Sequence, residues 1–123
     1  MTIDDLSYQI IGAAMVVHTE LGPGLNEKTY DLCFGHQLST LGLQFEHQVR
    51  FPVMRRGVQL SSTFRIDYVV RTAVIVELKA VERLIPLFEA QVLTYLKLTG
   101  LRLGILINFN STLIKDGIKR IVL

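Results

Sequence analysis

Apolar residues recur at helical spacing near the start of the chain. Ile10, Ala14 and Val17 form one set and Tyr8, Ile11 and Met15 another, which predicts a helix over residues 4–21. Thr2 and Asp5 have the spacing of a capping box. Gly22-Pro23-Gly24 stops the helix, since glycine suits a C-terminal cap and proline cannot continue one. A second helix is predicted over residues 25–41, with Tyr30, Phe34, Leu38 and Leu41 on its inner face and Gly42 as its stop.

The period then falls from helical to two. Phe45, His47, Val49 and Phe51 alternate with Gln44, Glu46, Gln48 and Arg50, predicting a strand over 43–53. A turn at 54–57 and a short strand at 58–60 follow. Residues 63–70 form a further strand, with Phe64, Ile66, Tyr68 and Val70 on one face. Arg71-Thr72 is a tight turn into a strand over 73–79, whose run Val74-Ile75-Val76 predicts a central position in the sheet. Pro86 opens a helix that reaches Thr99. Residues 103–109 form a buried strand, and Asp116-Gly117 turns into a last strand over 118–123. The expected order is α-α-β-β-β-β-α-β-β: an α/β (α+β) domain occupying 1–123, with a mixed sheet flanked by helices. The crossover from 73–79 to 103–109 is expected to be parallel and right-handed.

Composition narrows the function classes. Half of the 123 residues are hydrophobic, so a packed core is available. A formal charge of +2 is too small to indicate nucleic-acid binding without a local basic patch. Two such groups stand out: Arg50, Arg55, Arg56 and Arg65, and Lys115, Lys119 and Arg120. The lone Cys33 excludes an internal disulfide and a cysteine-only metal cage, and fits a reducing compartment. The first apolar stretch, 10–17, is shorter than the roughly 20 residues that span a bilayer, and Asp4 and Asp5 precede it. A cytoplasmic protein with no membrane partner is expected. His18, His36 and His47 have no metal-ligand spacing, and no Walker A, G-x-S-x-G or dinucleotide fingerprint occurs.

One constellation carries chemistry. Asp67 and Glu77 lie on adjoining strands. With a three-residue loop at 71–73 they face each other; with a two-residue loop Asp67 faces Val76, and a bulge would be needed to restore the alignment. Glu77 and Lys79 share a face. Two close carboxylates repel unless one takes up a proton or a cation comes between them. Mg²⁺ prefers such oxygen ligands together with substrate phosphate, and an adjacent lysine can orient water or stabilise negative charge. A D-x₉-E-x-K spacing by itself arises by chance and reads as a solvated surface. Glu77 and Lys79, however, interrupt the most hydrophobic strand, where an unused charge is costly.

Further segments extend the pattern: Gly24-Leu25-Asn26-Glu27-Lys28-Thr29-Tyr30, a literal G-x-x-E-x-x-Y; Ile75-Val76-Glu77-Leu78-Lys79-Ala80-Val81-Glu82; Glu89-Ala90-Gln91; Tyr95-Leu96-Lys97-Leu98-Thr99-Gly100; and Ile107-Asn108-Phe109-Asn110. Over nearly its whole length the chain resembles the GxxExxY proteins, a family placed in the PD-(D/E)XK nuclease superfamily. The resemblance implies a restriction-endonuclease-like core and a Mg²⁺- or Mn²⁺-dependent nuclease acting on nucleic acid, DNA rather than RNA. It implies Asp67, Glu77, the Leu78 carbonyl and Glu27 as metal ligands and Lys79 as the motif lysine. Gln91 and Tyr95 resemble the Q-x-x-x-Y pair of RecB-like nucleases; one helical turn apart, they would contact substrate, with Gln91 also in the catalytic set. Two departures stand out: Ile66 replaces the proline of the superfamily's name, and Phe88 stands where many relatives carry histidine. Taken alone, Glu27 reads as a helix-dipole residue, and Tyr30 and Tyr95 as core aromatics. A homodimer would account for surplus apolar surface. The competing readings are a catalytically silent nucleic-acid- or partner-binding module on the same fold, and a metal-dependent enzyme acting on a small phosphorylated molecule.

Overall fold

A computed structural model describes residues 1–123. The elements run α1 (Ile3–Leu21), α2 (Glu27–Thr40), β1 (Phe45–Arg55), β2 (Val58–Val70), β3 (Val74–Lys79), α3 (Pro86–Thr99), β4 (Leu103–Asn108), a 3-10 turn (Ile114–Gly117) and β5 (Ile118–Val122). The strands form one mixed sheet in the order β1-β2-β3-β4-β5. Only the β3–β4 pair is parallel, as its helical crossover through α3 requires. No helix is long and apolar enough to cross a membrane.

Both N-terminal helices begin with side-chain caps. Thr2 and Asp5 form the predicted box on α1, and Asn26 accepts from the Thr29 N–H on α2. The inner face of α1 is Leu6, Ile10, Ala13, Ala14 and Val17. Tyr8 and Met15 face outward instead, with Tyr8 81% exposed. They share the helical period but fall outside the stripe that meets the sheet. Leu41 is also exposed, because it caps α2 rather than extending it.

The segments predicted as two strands, 58–60 and 63–70, are one continuous strand, β2. Its polar stretch Ser61-Ser62-Thr63 passes the irregularity opposite Val53, where the β1–β2 register shifts. The ladder is maintained on either side of that bulge.

The main core lies between the sheet and α1 and α2, and includes Tyr30, Phe34, Tyr68, Val76 and Phe109. A smaller core under α3 holds Ile66, Val69, Ile75 and Leu96. At Gly104 of β4 an added Cβ would meet Val92 of α3, so this helix is seated directly on the strand backbone.

The two cores reveal a reversal that simple alternation does not anticipate. Phe45 packs toward the main core and His47 stacks on Tyr68, whereas Val49 and Phe51 pack toward the smaller core. On β2, Tyr68 and Val70 face the main core, but Phe64 and Ile66 face the smaller one. Both strands change their inward side at the same rung, between His47↔Tyr68 and Val49↔Ile66. Gln48, at that rung, has φ 52, a left-handed conformation uncommon for a non-glycine residue. Asp67 is the residue across from it.

Candidate active site

The β2–β3 hairpin resolves the choice of loop. Val70 pairs with Val74, Val69 with Ile75 and Tyr68 with Val76, leaving the three residues 71–73 in the turn. The next rung brings Asp67 to Glu77. Side chains replace backbone partners there: the Asp67 N–H donates to Glu77 Oε1 at 3.0 Å, and the Leu78 N–H donates to Asp67 Oδ2 at 2.9 Å. Each carboxylate thus accepts from the backbone of the opposing strand. The two are held side by side where the ladder opens.

Glu77 is only 6% exposed. Burial pushes its carboxyl up to about 8; the Asp67 carboxylate acts in the same direction, and the Lys79 ammonium opposes both. Lys79 comes from the same strand, two residues on. Its Nζ lies over the Phe88 ring, 4.4 Å from the centroid. The residue that departs from the expected histidine therefore offers Lys79 a π face instead of a hydrogen-bond partner.

Glu27 opens α2 and approaches from the other side. It lines a cavity of about 320 Å³ with Lys28, Asp31, His47, Arg65, Asp67 and Leu78 among its walls. Burial raises the Glu27 carboxyl, and Asp67 raises it further, while Lys79 and Arg65 lower it. Asp67 therefore stands between Glu77 and Glu27. No three His, Cys, Asp or Glu side chains converge closely enough to make a complete metal cage, so Glu27 is near the carboxylate pair without closing around it.

Tyr95 packs its ring on Phe64, with centroids 5.1 Å apart. Burial raises its hydroxyl pKa, and the charges of Glu77 and Asp67 add to this, placing the phenol within their field. Gln91, one turn earlier on α3, is half-buried, and its side chain forms no hydrogen bond within the chain.

The G-x-x-E-x-x-Y segment has a structural basis. Tyr30 is fully buried and stacks on Phe109 at 4.9 Å. Its hydroxyl donates to the Gly22 carbonyl at 2.6 Å and accepts from the Leu25 N–H at 3.1 Å. Gly24, at φ 102, donates its N–H to Asn110 Oδ1 at 3.0 Å. Asn110 and Asn108 in turn hold Val81, just past β3. Three loops are tied together, and Glu27 is the first helical residue after them. Tyr30→Phe is expected to lower unfolding free energy by about 1–3 kcal/mol through the buried partners it strands, read as a lower denaturant midpoint at unchanged m-value.

Sequence reading missed Asp31 and His47. His47 Nε2 lies 2.8 Å from Asp31 Oδ2, with both residues on the cavity wall. Asp31 follows Glu27 by four residues and so shares its helix face; that spacing was the available signal. Nothing local marked His47, which reaches Asp31 only through the sheet.

A model of the PD-(D/E)XK nuclease superfamily matches residues 4–121. The chain belongs to this superfamily. No curated protein and no solved structure matches it. Its five-stranded mixed sheet with three helices is consistent with the restriction-endonuclease-like fold of PD-(D/E)XK proteins. That superfamily is generally made up of nucleases, which typically use divalent metals such as Mg²⁺. The donors present fit such an ion. Two carboxylates are pressed together, one driven toward protonation, and each keeps an oxygen free of hydrogen bonds within the chain. A hard cation that takes one or two carboxylates and completes its shell from water and phosphate suits this pair.

Proposed function

We propose that the chain is a divalent-metal-dependent nuclease that hydrolyses phosphodiester bonds in DNA rather than RNA. The observation that carries this reading is the interlocked Asp67–Glu77 pair, its Glu77 buried and its Asp67 half-buried, with Lys79 two residues on from Glu77 in the same strand. Asp67 and Glu77 would hold Mg²⁺ or Mn²⁺, with the Leu78 carbonyl and Glu27 contributing from the two flanks. The ion supplies Lewis acidity toward a phosphoryl oxygen. Lys79 orients the attacking water and offsets negative charge that develops in the transition state. Gln91 and Tyr95, on one face of α3, position the scissile phosphate. The GxxExxY resemblance supports the same assignment, since its glutamate and tyrosine fall at the loop junction that aims Glu27 into the cavity. A second copy of the chain would find apolar cover to bury at Tyr8 and Met15 of α1 and at Val122 of the open edge β5.

The test is incubation with single-stranded, double-stranded and branched DNA, and with RNA, in Mg²⁺, Mn²⁺ or EDTA. Cleavage of DNA with either metal and none in EDTA is expected. Millimolar Mn²⁺ should also raise the melting temperature, because an ion that binds only the folded state stabilises it by RT ln(1 + [L]/Kd). Salt-sensitive DNA binding without cleavage under any condition would favour the silent binding module.

A further inference from the structure

The β1–β2 hairpin extends beyond both cores. Past the Val49↔Ile66 rung, β1 continues to Arg55 and β2 begins at Val58, and residues 58–63 are all exposed. From Val49 to Ile66 the chain contains four arginines and no aspartate or glutamate. This arm therefore carries +4, while the chain as a whole carries +2 and the remainder −2. The even charge balance of the sequence conceals a strong division in space.

The arm's two faces differ. One packs at its base, where Phe51 stacks on Phe64 and Phe64 on Tyr95 of α3. On the other, Arg50 and Arg65 stand directly opposite each other in the ladder, with no acid between them. Like charges at opposed positions destabilise a sheet. The one carboxylate near them, Asp67, lies 4.0 Å from Arg65, which is 48% exposed. Arg65 is also part of the wall of the Glu27–Asp67 cavity. Positive charge thus stands at both ends of the arm: Arg50 and Arg65 next to the carboxylate site, and Arg55 and Arg56 at the tip, where the chain enters the turn at Gly57.

We propose that this hairpin is a grip for duplex DNA, its arginines at base and tip lying against the phosphate backbone next to the scissile bond. The dimensions fit. At about 3.3 Å per residue, β2 from Asp67 to its start at Val58 spans about 30 Å, close to the roughly 34 Å of one duplex turn. A two-stranded ribbon also matches the width of the B-DNA major groove, whereas the deep, narrow major groove of duplex RNA excludes it. The paired guanidiniums of Arg50 and Arg65 would place a phosphate between them, removing their mutual repulsion. The assignment rests on the nuclease reading for why DNA is held; the binding itself does not require cleavage.

The experiment compares the whole chain with an Arg50→Gln, Arg55→Gln, Arg56→Gln triple variant, together with each single variant. Arg65 is left intact because it borders the site. Binding to a DNA duplex of two turns is measured in EDTA across a salt series. Each lost phosphate contact should reduce the slope of log K against log salt by about 0.9. The triple variant should therefore lose about 2.7 in slope and 10²- to 10³-fold in affinity near 0.1 M salt. Its melting temperature should equal or exceed that of the wild type, since Arg50→Gln removes one of two opposed like charges, and its Mn²⁺-induced shift should match the wild type. An unchanged slope and affinity in the folded triple variant would overturn the grip, as would tighter wild-type binding to duplex RNA than to duplex DNA. If the wild type never cleaves DNA but the slope falls as stated, the grip stands and the nuclease reading fails.

Discussion

Asp67→Asn is expected to reduce DNA cleavage by about 10³-fold, with the fold retained. The amide oxygen of asparagine can still accept from the Leu78 N–H, which Asp67 Oδ2 now does at 2.9 Å, so the β2–β3 junction loses no partner. What disappears is one of two negative charges. Metal assistance to phosphoryl chemistry is worth several kcal/mol, and each 1.36 kcal/mol or so is tenfold in rate, which sets the magnitude. The variant should also lose the rise in melting temperature that Mn²⁺ gives the wild type. Lys79→Ala provides the contrast: cleavage falls, but the Mn²⁺ shift persists, because the lysine acts on water and charge rather than on the ion. An Asp67→Asn protein that cleaves at wild-type rate would remove the carboxylate pair from the mechanism.

Glu77→Gln should make the metal-free protein more stable, and the gain should grow with pH. The sign follows from the two states of the carboxyl. Unfolded, it titrates near its ordinary value of 4.5; folded, burial and Asp67 push it up to about 8. Between these values the folded chain binds the extra proton, so stability falls as pH rises through that window. Below about pH 4.5 the group imposes no penalty, and above about 8 the full penalty, on the order of a few kcal/mol, is present. Glutamine carries no charge and can keep the contact with the Asp67 N–H through its own oxygen. The difference in melting temperature between variant and wild type, followed in EDTA from pH 5 to 9, should widen up to about pH 8 and then level off. Saturating Mn²⁺ should reverse it, since the wild type alone retains both carboxylates. A difference that does not vary with pH would mean that Glu77 is not held as a strained acid.

Much of this was legible in the chain itself. The helix start at Thr2 follows from local cap chemistry, which needs no tertiary partner. The buried run Val74-Ile75-Val76 marked a strand with neighbours on both sides, and β3 sits mid-sheet. Asp67, Glu77 and Lys79 lie on one hairpin, so register arithmetic could bring them together as soon as the loop length was fixed. Tyr8 and Met15 recur at helical spacing yet lie exposed, because period alone does not say which stripe of a helix meets the sheet. The inward faces of β1 and β2 were misread for a different reason: alternation was carried through Gln48 and Asp67, where the backbone interrupts it. Asp31 and His47 were overlooked because their pairing joins a helix to a strand sixteen residues away. The four arginines of the arm were legible as a basic group, but not their arrangement in space until the ladder set Arg50 against Arg65.

The slip in in-and-out rhythm at the rung of Gln48 and Asp67 has an evolutionary corollary. Even alternation along both ribbons would give better-filled interiors and an unstrained Gln48, so heat resistance could rise by ironing out the very kink that turns Asp67 away from its neighbours' pattern. Selection for robustness alone thus has a downhill route that erases the chemistry.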